Sequence, residues 1–313
     1  MEEIQVKKLR SKGDRVTGRL LLLSCGAVVA FEVCLMLLNL ATKNAYNATG
    51  GLAGFQKRAM LDTLRFVFQD IGILLLPFWQ IGVLRVALLR SRNQTVCAKD
   101  LTFGFTRIGP VLGRELLTGL ILVLVLLTAT NVASTIFAFT PMGMTAGEEL
   151  AGYMTDPADY MAMMEKIPMD VLLKAVAPAL VLAAVLGVPA MYVVGCRVRL
   201  AGYLVMEDEK IRAFPGMLTS VGMTRNQLWN FVQLDLGFWW YYLVLALVFA
   251  LGYADLWLPA LGVKLDANVI FYGAFALRTV LRLLVAWGLQ SRVELTYAAF
   301  YEKLKPQPEK MDS

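Results

Sequence analysis

The sequence predicts an all-α fold, a polytopic membrane helix bundle with six transmembrane helices. Hydrophobic residues make up 58% of the 313 residues, and the mean hydropathy is +0.60. These residues are grouped into blocks of about twenty, the length that an α-helix needs to cross a hydrocarbon core. Helices are the expected spanning element because a helix satisfies its own backbone polar groups inside the bilayer. Lys and Arg are concentrated on one side of the predicted spans, as the positive-inside rule expects.

The first predicted span covers about residues 20–41 and follows a basic segment, residues 1–19. This block is longer than the hydrophobic region of a signal peptide and lacks a small-residue cleavage site, so we expect it to be retained. The other spans are predicted at about residues 65–89, 115–139, 171–196, 234–253 and 268–290. Pro77 is expected to kink the second span, and Pro178 and Pro189 to interrupt the fourth.

Three connections are predicted to lie outside: residues 42–64, 140–170 and 254–267. The first contains a glycosylation sequon, Asn47-Ala-Thr49, which matters only in a eukaryotic secretory pathway. The connections after the second and fourth spans and the tail, residues 291–313, carry Arg and Lys. We therefore expect a multi-pass protein of the cell membrane with both termini in the cytoplasm.

Each of the two longer cytoplasmic connections contains an amphipathic segment, and the two resemble each other. Pro77 precedes Arg85 by the same interval as Pro189 precedes Arg197. Further on, residues 106–109 (TRIG) correspond to residues 219–222 (TSVG). Two parallel repeats, each a span, an amphipathic segment and a span, explain this pattern. The alternative is coincidence within a biased composition.

Composition excludes several classes of site. The chain has no histidine, so it has no His-based triad or histidine metal site. The four cysteines form no CxxC pair, and there is no Walker loop or GxSxG motif. Glu207-Asp208-Glu209 is interpreted as a solvated charge cluster. We predict no catalytic residue, no cofactor and no metal, and the net charge of +6 needs no nucleic acid to explain it.

The connection between the third and fourth spans is rich in methionine and acidic residues. Thioether ligands suit Cu(I), so one interpretation is a copper-capturing loop. The other is a helix on the outer surface that begins at Asp156-Pro157 and places Tyr160, Met161, Met164 and Ile167 on one side. The methionines are Met142, Met144, Met154, Met161, Met163, Met164 and Met169.

Charged residues inside the predicted spans are the main candidates for function, because a charge in the bilayer is costly unless it is paired or hydrated. These candidates are Glu32, Asp70, Glu115, Asp235, Arg278 and Arg282. Glu32 and Arg278 are predicted at similar depths, about 20 Å and about 18 Å from the cytoplasmic side, which would allow them to meet near mid-membrane. Arg282 lies one turn from Arg278, closer in depth to Asp235 and Glu115. The set is either an ion or substrate pathway, or a buried structural ion-pair network with Arg282 reaching the interface.

One stretch enters the predicted fifth span with a distinctive pattern. Residues 234–238 (LDLGF) lead into Trp239 and Trp240, after an amphipathic segment that contains Gly216 and Ser220. Residues 103–105 (FGF) with Gly109, and residues 298–302 (AAFYE), are further motifs of the same kind.

With these motifs, residues 70–125 and 185–302 resemble a bacterial family of multi-spanning membrane proteins of unknown function. That family is distantly similar to the membrane domain attached to some glycerophosphodiester phosphodiesterases. The resemblance implies the membrane architecture and no established catalytic residues. The chain departs from the family pattern at Gly237, where Ser is usual, and at Phe214-Pro215, where Asn-Pro is common.

These observations predict a non-enzymatic integral membrane protein. Its expected partners are the lipid bilayer and a lipid, hydrophobic peptide or protein held in a groove, and it either handles such a ligand or organises the membrane. The alternative is a secondary transporter or channel that uses Glu32 and Asp235 with Arg278 and Arg282.

Overall fold

The computed structural model describes residues 14–48, 52–153, 167–208, 210–263 and 265–305. These residues form helices and connections and no β-strand. Five of the helices are long and apolar enough to cross a membrane, or six if one bent pair counts as a single span. The predicted fold class, an all-α multi-pass membrane protein, is confirmed.

The helices are given in chain order, with our own numbering. They are α1 (Arg15–Ala48), α2 (Leu52–Ser91), α3 (Ala98–Leu101), a 3₁₀ turn (Phe103–Arg107), α4 (Ile108–Ala138), α5 (Pro141–Ala151), α6 (Met169–Val198), α7 (Ala201–Glu207), α8 (Ala213–Thr224), α9 (Leu228–Gly237), α10 (Trp239–Leu251), α11 (Ala254–Ala260), α12 (Ala267–Leu284), a π-helical turn (Val285–Gln290) and α13 (Ser291–Leu304). They divide into two compact units, one formed by Arg114–Arg199 and the other by the residues before and after it.

In the larger unit, α2 is the central helix, packed against α1, α3, the 3₁₀ turn, α7 and α13. Two glycines allow the segment 98–107 to lie directly on its backbone. A Cβ at Gly82 would overlap the carbonyl of Leu101, and one at Gly104 would overlap the carbonyl of Phe78. Phe105 stacks on Phe78 at 5.1 Å, and the Arg85 guanidinium lies 3.8 Å from the centroid of the Phe103 ring. Residues 103–105 therefore pack tightly against the side of α2.

The best-packed part of this unit is an aromatic core, formed by Tyr203, Phe231, Tyr297, Phe300 and Tyr301. Each of these side chains is at most 1% exposed. Tyr203 and Tyr301 stack at 5.0 Å, and Phe231 meets Phe300 edge to face at 5.0 Å. Aromatic pairs in these geometries add about 0.5–1.5 kcal/mol each beyond the burial of their area. The core fixes α7, α9 and α13 to one another.

In the smaller unit, α6 meets α4 at Gly187 and Ala129, both of them small residues. Ala129, Ala133 and Ala183 are buried, and a Cβ at Gly187 would lie 3.3 Å from the Cβ of Ala129. Small residues at contacts are typical of membrane helix pairs, because they let the backbones come near. Thr140 caps α5 by accepting a hydrogen bond from the Gly143 amide at 3.1 Å, with Pro141 at the first helical position.

The prediction that residues 42–64 form a loop is wrong, since α1 continues to Ala48 and α2 begins at Leu52. Polarity marks where a helix leaves the membrane, but it does not end the helix. The first strong helix breaker in this stretch is Gly50-Gly51. The predicted loop 140–170 likewise contains a helix, α5. The methionines from Met154 to Met164, and the predicted helix start at Asp156-Pro157, lie outside the described residues.

The predicted fifth span is not one straight helix. α9 and α10 meet at Phe238 with a bend of 71°. Phe238 has φ −113° and ψ 22°, and its amide donates to the Asp235 carbonyl at 2.9 Å, which closes α9. The last span is longer than predicted, because the helix continues through the π turn and α13 to Leu304. α2 and α6 run through Pro77, Pro178 and Pro189 without interruption.

Replacing Gly82 by alanine should destabilise the larger unit. Its Cβ would meet backbone atoms of Leu101, which cannot move aside as a side chain can. Overpacking of this kind costs about 1–3 kcal/mol. Gly26→Ala is the matched control, since nothing lies within 4 Å of a Cβ at Gly26, and it should be neutral or stabilise by up to about 1 kcal/mol. Thermal unfolding in detergent measures both, and equal unfolding temperatures for the two variants would contradict the close contact.

The larger unit should lose stability in acid, because Asp14 connects the start of α1 to α2. Arg90 Nε donates to Asp14 Oδ2 at 2.7 Å. Partial burial raises the pKa of Asp14, but the bonds from Arg90 and Thr17 outweigh it, so the pKa lies below its ordinary value of 3.8. A lowered folded pKa gives stability that is complete above the ordinary value and is lost as the pH falls through the lower one.

We expect this contribution to be about 0.5 kcal/mol, because the pair is partly exposed. Arg90→Gln should remove most of it. Unfolding temperatures recorded between pH 6 and pH 3 should therefore fall less steeply for Arg90→Gln than for the unmodified protein. Parallel pH profiles would show that the pair contributes nothing.

Candidate functional site

The candidate site is built around Glu32 on α1, which faces two arginines on α12. Arg278 and Arg282 are four residues apart and therefore lie on one face of their helix, one turn from each other. Arg282 Nη1 donates a hydrogen bond to Glu32 Oε1. Arg278 Nη2 lies 3.5 Å from the same oxygen. We call these three residues the Glu32 cluster.

The two arginines bind Glu32 unequally. A guanidinium donating directly to a carboxylate lies at about 2.7–2.9 Å, so the contact of Arg278 is long and that of Arg282 is direct. The Nε atom of Arg278 is buried and has no hydrogen-bond partner among the described residues. Two guanidinium groups therefore share one carboxylate, and Arg278 keeps donor capacity that Glu32 does not use.

The other three candidates lie elsewhere. Asp235, at the end of α9, accepts hydrogen bonds from the hydroxyl groups of Tyr242 and Tyr297, while Arg282 bonds to Glu32. Glu115 accepts a hydrogen bond from its neighbour Arg114 in the smaller unit. Asp70 is exposed on α2, with no bonding partner in the described part of the chain. The structure therefore brings together Glu32, Arg278 and Arg282.

An apolar cavity of about 320 Å³ lies between α1 and α2 and reaches the Glu32 cluster. Its lining is mainly aliphatic and aromatic, with Glu32, Gln69 and Arg282 as the polar members. The residues are Ala27, Val28, Phe31, Glu32, Leu35, Gln69, Gly72, Ile73, Leu75, Leu76, Trp79 and Arg282. Ile73 is 64% exposed and Leu76 is 44% exposed, so the cavity is open at its side.

A second cavity of about 310 Å³ adjoins the other side of the cluster, and we call it the polar cavity. It shares Glu32, Leu35 and Gln69 with the apolar cavity. The remaining lining residues are Met36, Asn39, Arg65, Phe271, Phe275 and Arg278. Both volumes lie within the range of about 300–1,000 Å³ that is usual for small-molecule sites. The Glu32 cluster thus borders both an apolar space and a charged one.

A second charged cluster, the Arg92 network, was not predicted from the sequence. Arg92 donates to Glu207 and, through Nε, to Glu302 at 2.9 Å. Tyr301 and Lys305 also donate to Glu207, each at 2.6 Å. Burial lowers the pKa of Arg92, but bonding to Glu207 and Glu302 outweighs burial and raises the net pKa above its ordinary value.

Glu207 is therefore not the solvated residue that was predicted, since its side chain is 18% exposed and bonds to three residues. Glu209 lies outside the described residues. The signal for this network was present in the sequence 291–304, where apolar and aromatic residues recur at helical spacing among charged ones. This network joins α2, α7 and α13 and borders neither cavity, which indicates a structural role.

Within the described ranges, no group of three or more Cys, Asp or Glu residues is placed to hold a metal ion. The four cysteines are all free thiols. The copper hypothesis rests largely on methionines outside these ranges, so it stays a prediction.

Comparison with known proteins gives no relative for this chain: no family model, no curated protein and no solved structure matches it. The resemblance to the bacterial membrane family therefore stays a prediction, and the site has to be interpreted from its own geometry.

A double-mutant cycle should show that Arg282 is the main partner of Glu32. With glutamine substitutions, we expect a coupling energy of about 2 kcal/mol for Glu32 with Arg282 and about 0.5 kcal/mol for Glu32 with Arg278. The difference follows from the direct contact of one arginine and the 3.5 Å contact of the other. Reversible unfolding in mixed detergent micelles measures both, and a larger coupling for Arg278 would contradict this assignment.

Proposed function

We propose that this protein is a non-enzymatic integral membrane protein that binds an amphiphilic lipid between α1 and α2. The observation that carries the proposal is the apolar cavity of about 320 Å³, which ends at a charged cluster. An apolar space beside a polar group matches the chemistry of an amphiphile, with a hydrocarbon chain at one end and a headgroup at the other.

The position of the cavity supports entry from the bilayer. Both of its walls belong to helices that are long and apolar enough to span a membrane. Its exposed aliphatic residues on α2, with Ile73 at the open side, would face lipid chains rather than water. A lipid chain could move into this space laterally without crossing an aqueous phase, so little of its apolar surface would be exposed on the way.

We place both termini in the cytoplasm, following the distribution of Lys and Arg. In this orientation the apolar cavity lies near mid-membrane, and the polar cavity lies closer to the outer face. The ligand site would then be accessible from the outer leaflet.

A secondary transporter or channel is the second candidate. It is favoured by the Glu32 cluster, which borders both cavities and could hold or release an ion between them. The two candidates differ in flux. Ion-gradient-dependent uptake into proteoliposomes that is abolished by Glu32→Gln in folded protein would favour transport. Glu32→Gln and Arg278→Gln lowering the yield together, with no effect on flux, would rule it out.

Occupancy of the apolar cavity should be visible through Trp79, which lines it. A dodecanol chain brominated at its end is expected to quench Trp79 fluorescence in protein held in nanodiscs of unbrominated lipid. Trp79→Phe should remove the saturable part of the quenching, because the other five tryptophans line neither cavity.

Filling the cavity should prevent this quenching. Ala27→Phe places a ring in the cavity and should weaken binding by about tenfold or more. Ala30→Phe is the matched control, since Ala30 is exposed on the same helix and lines neither cavity. Quenching that is unsaturable, or unchanged by Ala27→Phe, would show that the chain does not enter this space.

A further inference from the structure

The polar cavity carries more positive than negative charge. Arg65 and Arg278 line it, and Glu32 is the acidic residue in its lining. Arg282 lines the apolar cavity, so the two cavities together have three guanidinium groups and one carboxylate in their linings. Asp62 and Asp70, the nearest acidic residues to Arg65 along α2, are in neither lining. Charges attract each other more strongly in a low-dielectric environment than in water. The excess of positive charge in the polar cavity therefore favours the binding of an anion.

The two arginines of α12 make different contacts with Glu32. Arg282 donates directly to Glu32 and neutralises it. Arg278 contacts Glu32 only at 3.5 Å through Nη2, so this contact does not take up its terminal N–H donors, and its side chain lines the polar cavity. An arginine with unused donors at the wall of a cavity is suited to bind phosphate or carboxylate through paired hydrogen bonds.

Arg65 is held in position on the opposite wall. Its Nη1 donates to Asn39 Oδ1 at 3.1 Å, which links α2 to α1. Its guanidinium carbon also lies 4.9 Å from the centroid of the Phe66 ring. One bond to Asn39 leaves most of the five N–H donors of the guanidinium for a ligand. Gln69, one turn further along α2, lines both cavities and offers an amide there.

We propose that the amphiphile is anionic, with a phosphate or carboxylate headgroup on Arg278 and Arg65 in the polar cavity. Its hydrocarbon chain passes Leu35 and Gln69, which line both cavities, and fills the apolar cavity beside Phe31 and Trp79. This inference rests on the proposed function, and it adds the charge of the ligand, the residues that recognise it and the direction in which it lies. Glu32 repels the headgroup, and Arg282 limits that repulsion by pairing with it.

The experiment compares three probes that share parts of one structure. Terminally dibrominated dodecyl phosphate carries the chain and the anion, dibrominated dodecanol carries the chain alone, and inorganic phosphate carries the anion alone. Saturable quenching of Trp79 in nanodiscs measures the affinities for the brominated phosphate ester and the brominated alcohol. The affinity for inorganic phosphate is measured by its competition with dibromododecyl phosphate. The phosphate ester should bind about tenfold or more tightly than the alcohol. Inorganic phosphate should not displace it at millimolar concentration.

The variants separate the roles of the charged residues. Arg278→Gln should weaken binding of the phosphate ester by about tenfold or more and change binding of the alcohol by less than about twofold. Retained binding of the alcohol also shows that the variant is folded. Arg278→Lys keeps the charge but not the planar guanidinium group. Its affinity for the phosphate ester should therefore lie between those of the unmodified protein and Arg278→Gln. Glu32→Gln should bind the phosphate ester more tightly, since it removes a competing anion. Arg19→Gln is the control, because Arg19 is exposed on α1 and lines neither cavity.

Each outcome supports or overturns a defined part of the proposal. Equal affinities for phosphate ester and alcohol, or no effect of Arg278→Gln, would overturn the anionic ligand and leave the proposed function in place. If inorganic phosphate displaces dibromododecyl phosphate as effectively as unbrominated dodecyl phosphate does, the site binds free anions. That result would overturn the proposal that the ligand is an amphiphile. Glu32→Gln weakening the ester as much as Arg278→Gln would show that Glu32 and Arg278 act only as an ion pair. Absence of Trp79 quenching by both chains would overturn the proposed function itself.

Discussion

The charge imbalance at Glu32 is the constraint on which the candidate site depends. A charged group among membrane helices is costly unless it is paired or hydrated, and here one carboxylate serves two guanidinium groups. The pairing with Arg282 joins α1 to α12 and neutralises one positive charge. The second charge, on Arg278, requires either water or an anion from outside the protein. The polar cavity provides space for both, which is why charge and cavity are found together.

The packing of the larger unit explains why there is room for such a site. The aromatic core and the Arg92 network join α2, α7, α9 and α13 to one another. The unbroken spans of this unit are loosely packed: only 17–39% of the residues in the most apolar stretch of each are buried. Lipid would cover the remaining surface at little cost, because membrane helices gain no hydrophobic free energy by burying apolar residues against each other. The protein can therefore keep open cavities among its spans while its fold is held elsewhere.

The sequence was sufficient for the fold class, and it indicated one contact of the candidate site, for different reasons. Block length and composition determine spanning helices, so the all-α membrane architecture followed directly. Counting depth along two helices placed Glu32 and Arg278 at a similar level, and the structure shows that they are in contact. The same counting failed for Asp235, because it assumed a straight span from Leu234. The 71° bend at Phe238 places Asp235 in a separate helix, where it reaches Tyr297. Depth along the chain says nothing about which helices are lateral neighbours, so the pairing of Arg282 with Glu32 required the structure.

The π turn at Val285–Gln290 connects the candidate site to the aromatic core through helix geometry. In a regular α-helix each residue turns about 100°, so Arg282 and Tyr301, nineteen residues apart, would point about 100° away from each other. A π turn accommodates one extra residue, which cancels about 100° of this rotation. Arg282 and Tyr301 therefore point in nearly the same direction. Arg278 and Arg282 can then face α1 while Tyr297 and Tyr301 are buried in the core of the same unit. α1 meets this turn at Gly18, where a Cβ would lie 2.7 Å from the Trp287 carbonyl oxygen. The absence of a side chain at Gly18 thus allows α1 to approach the turn, and the turn allows one helix to serve both the site and the core.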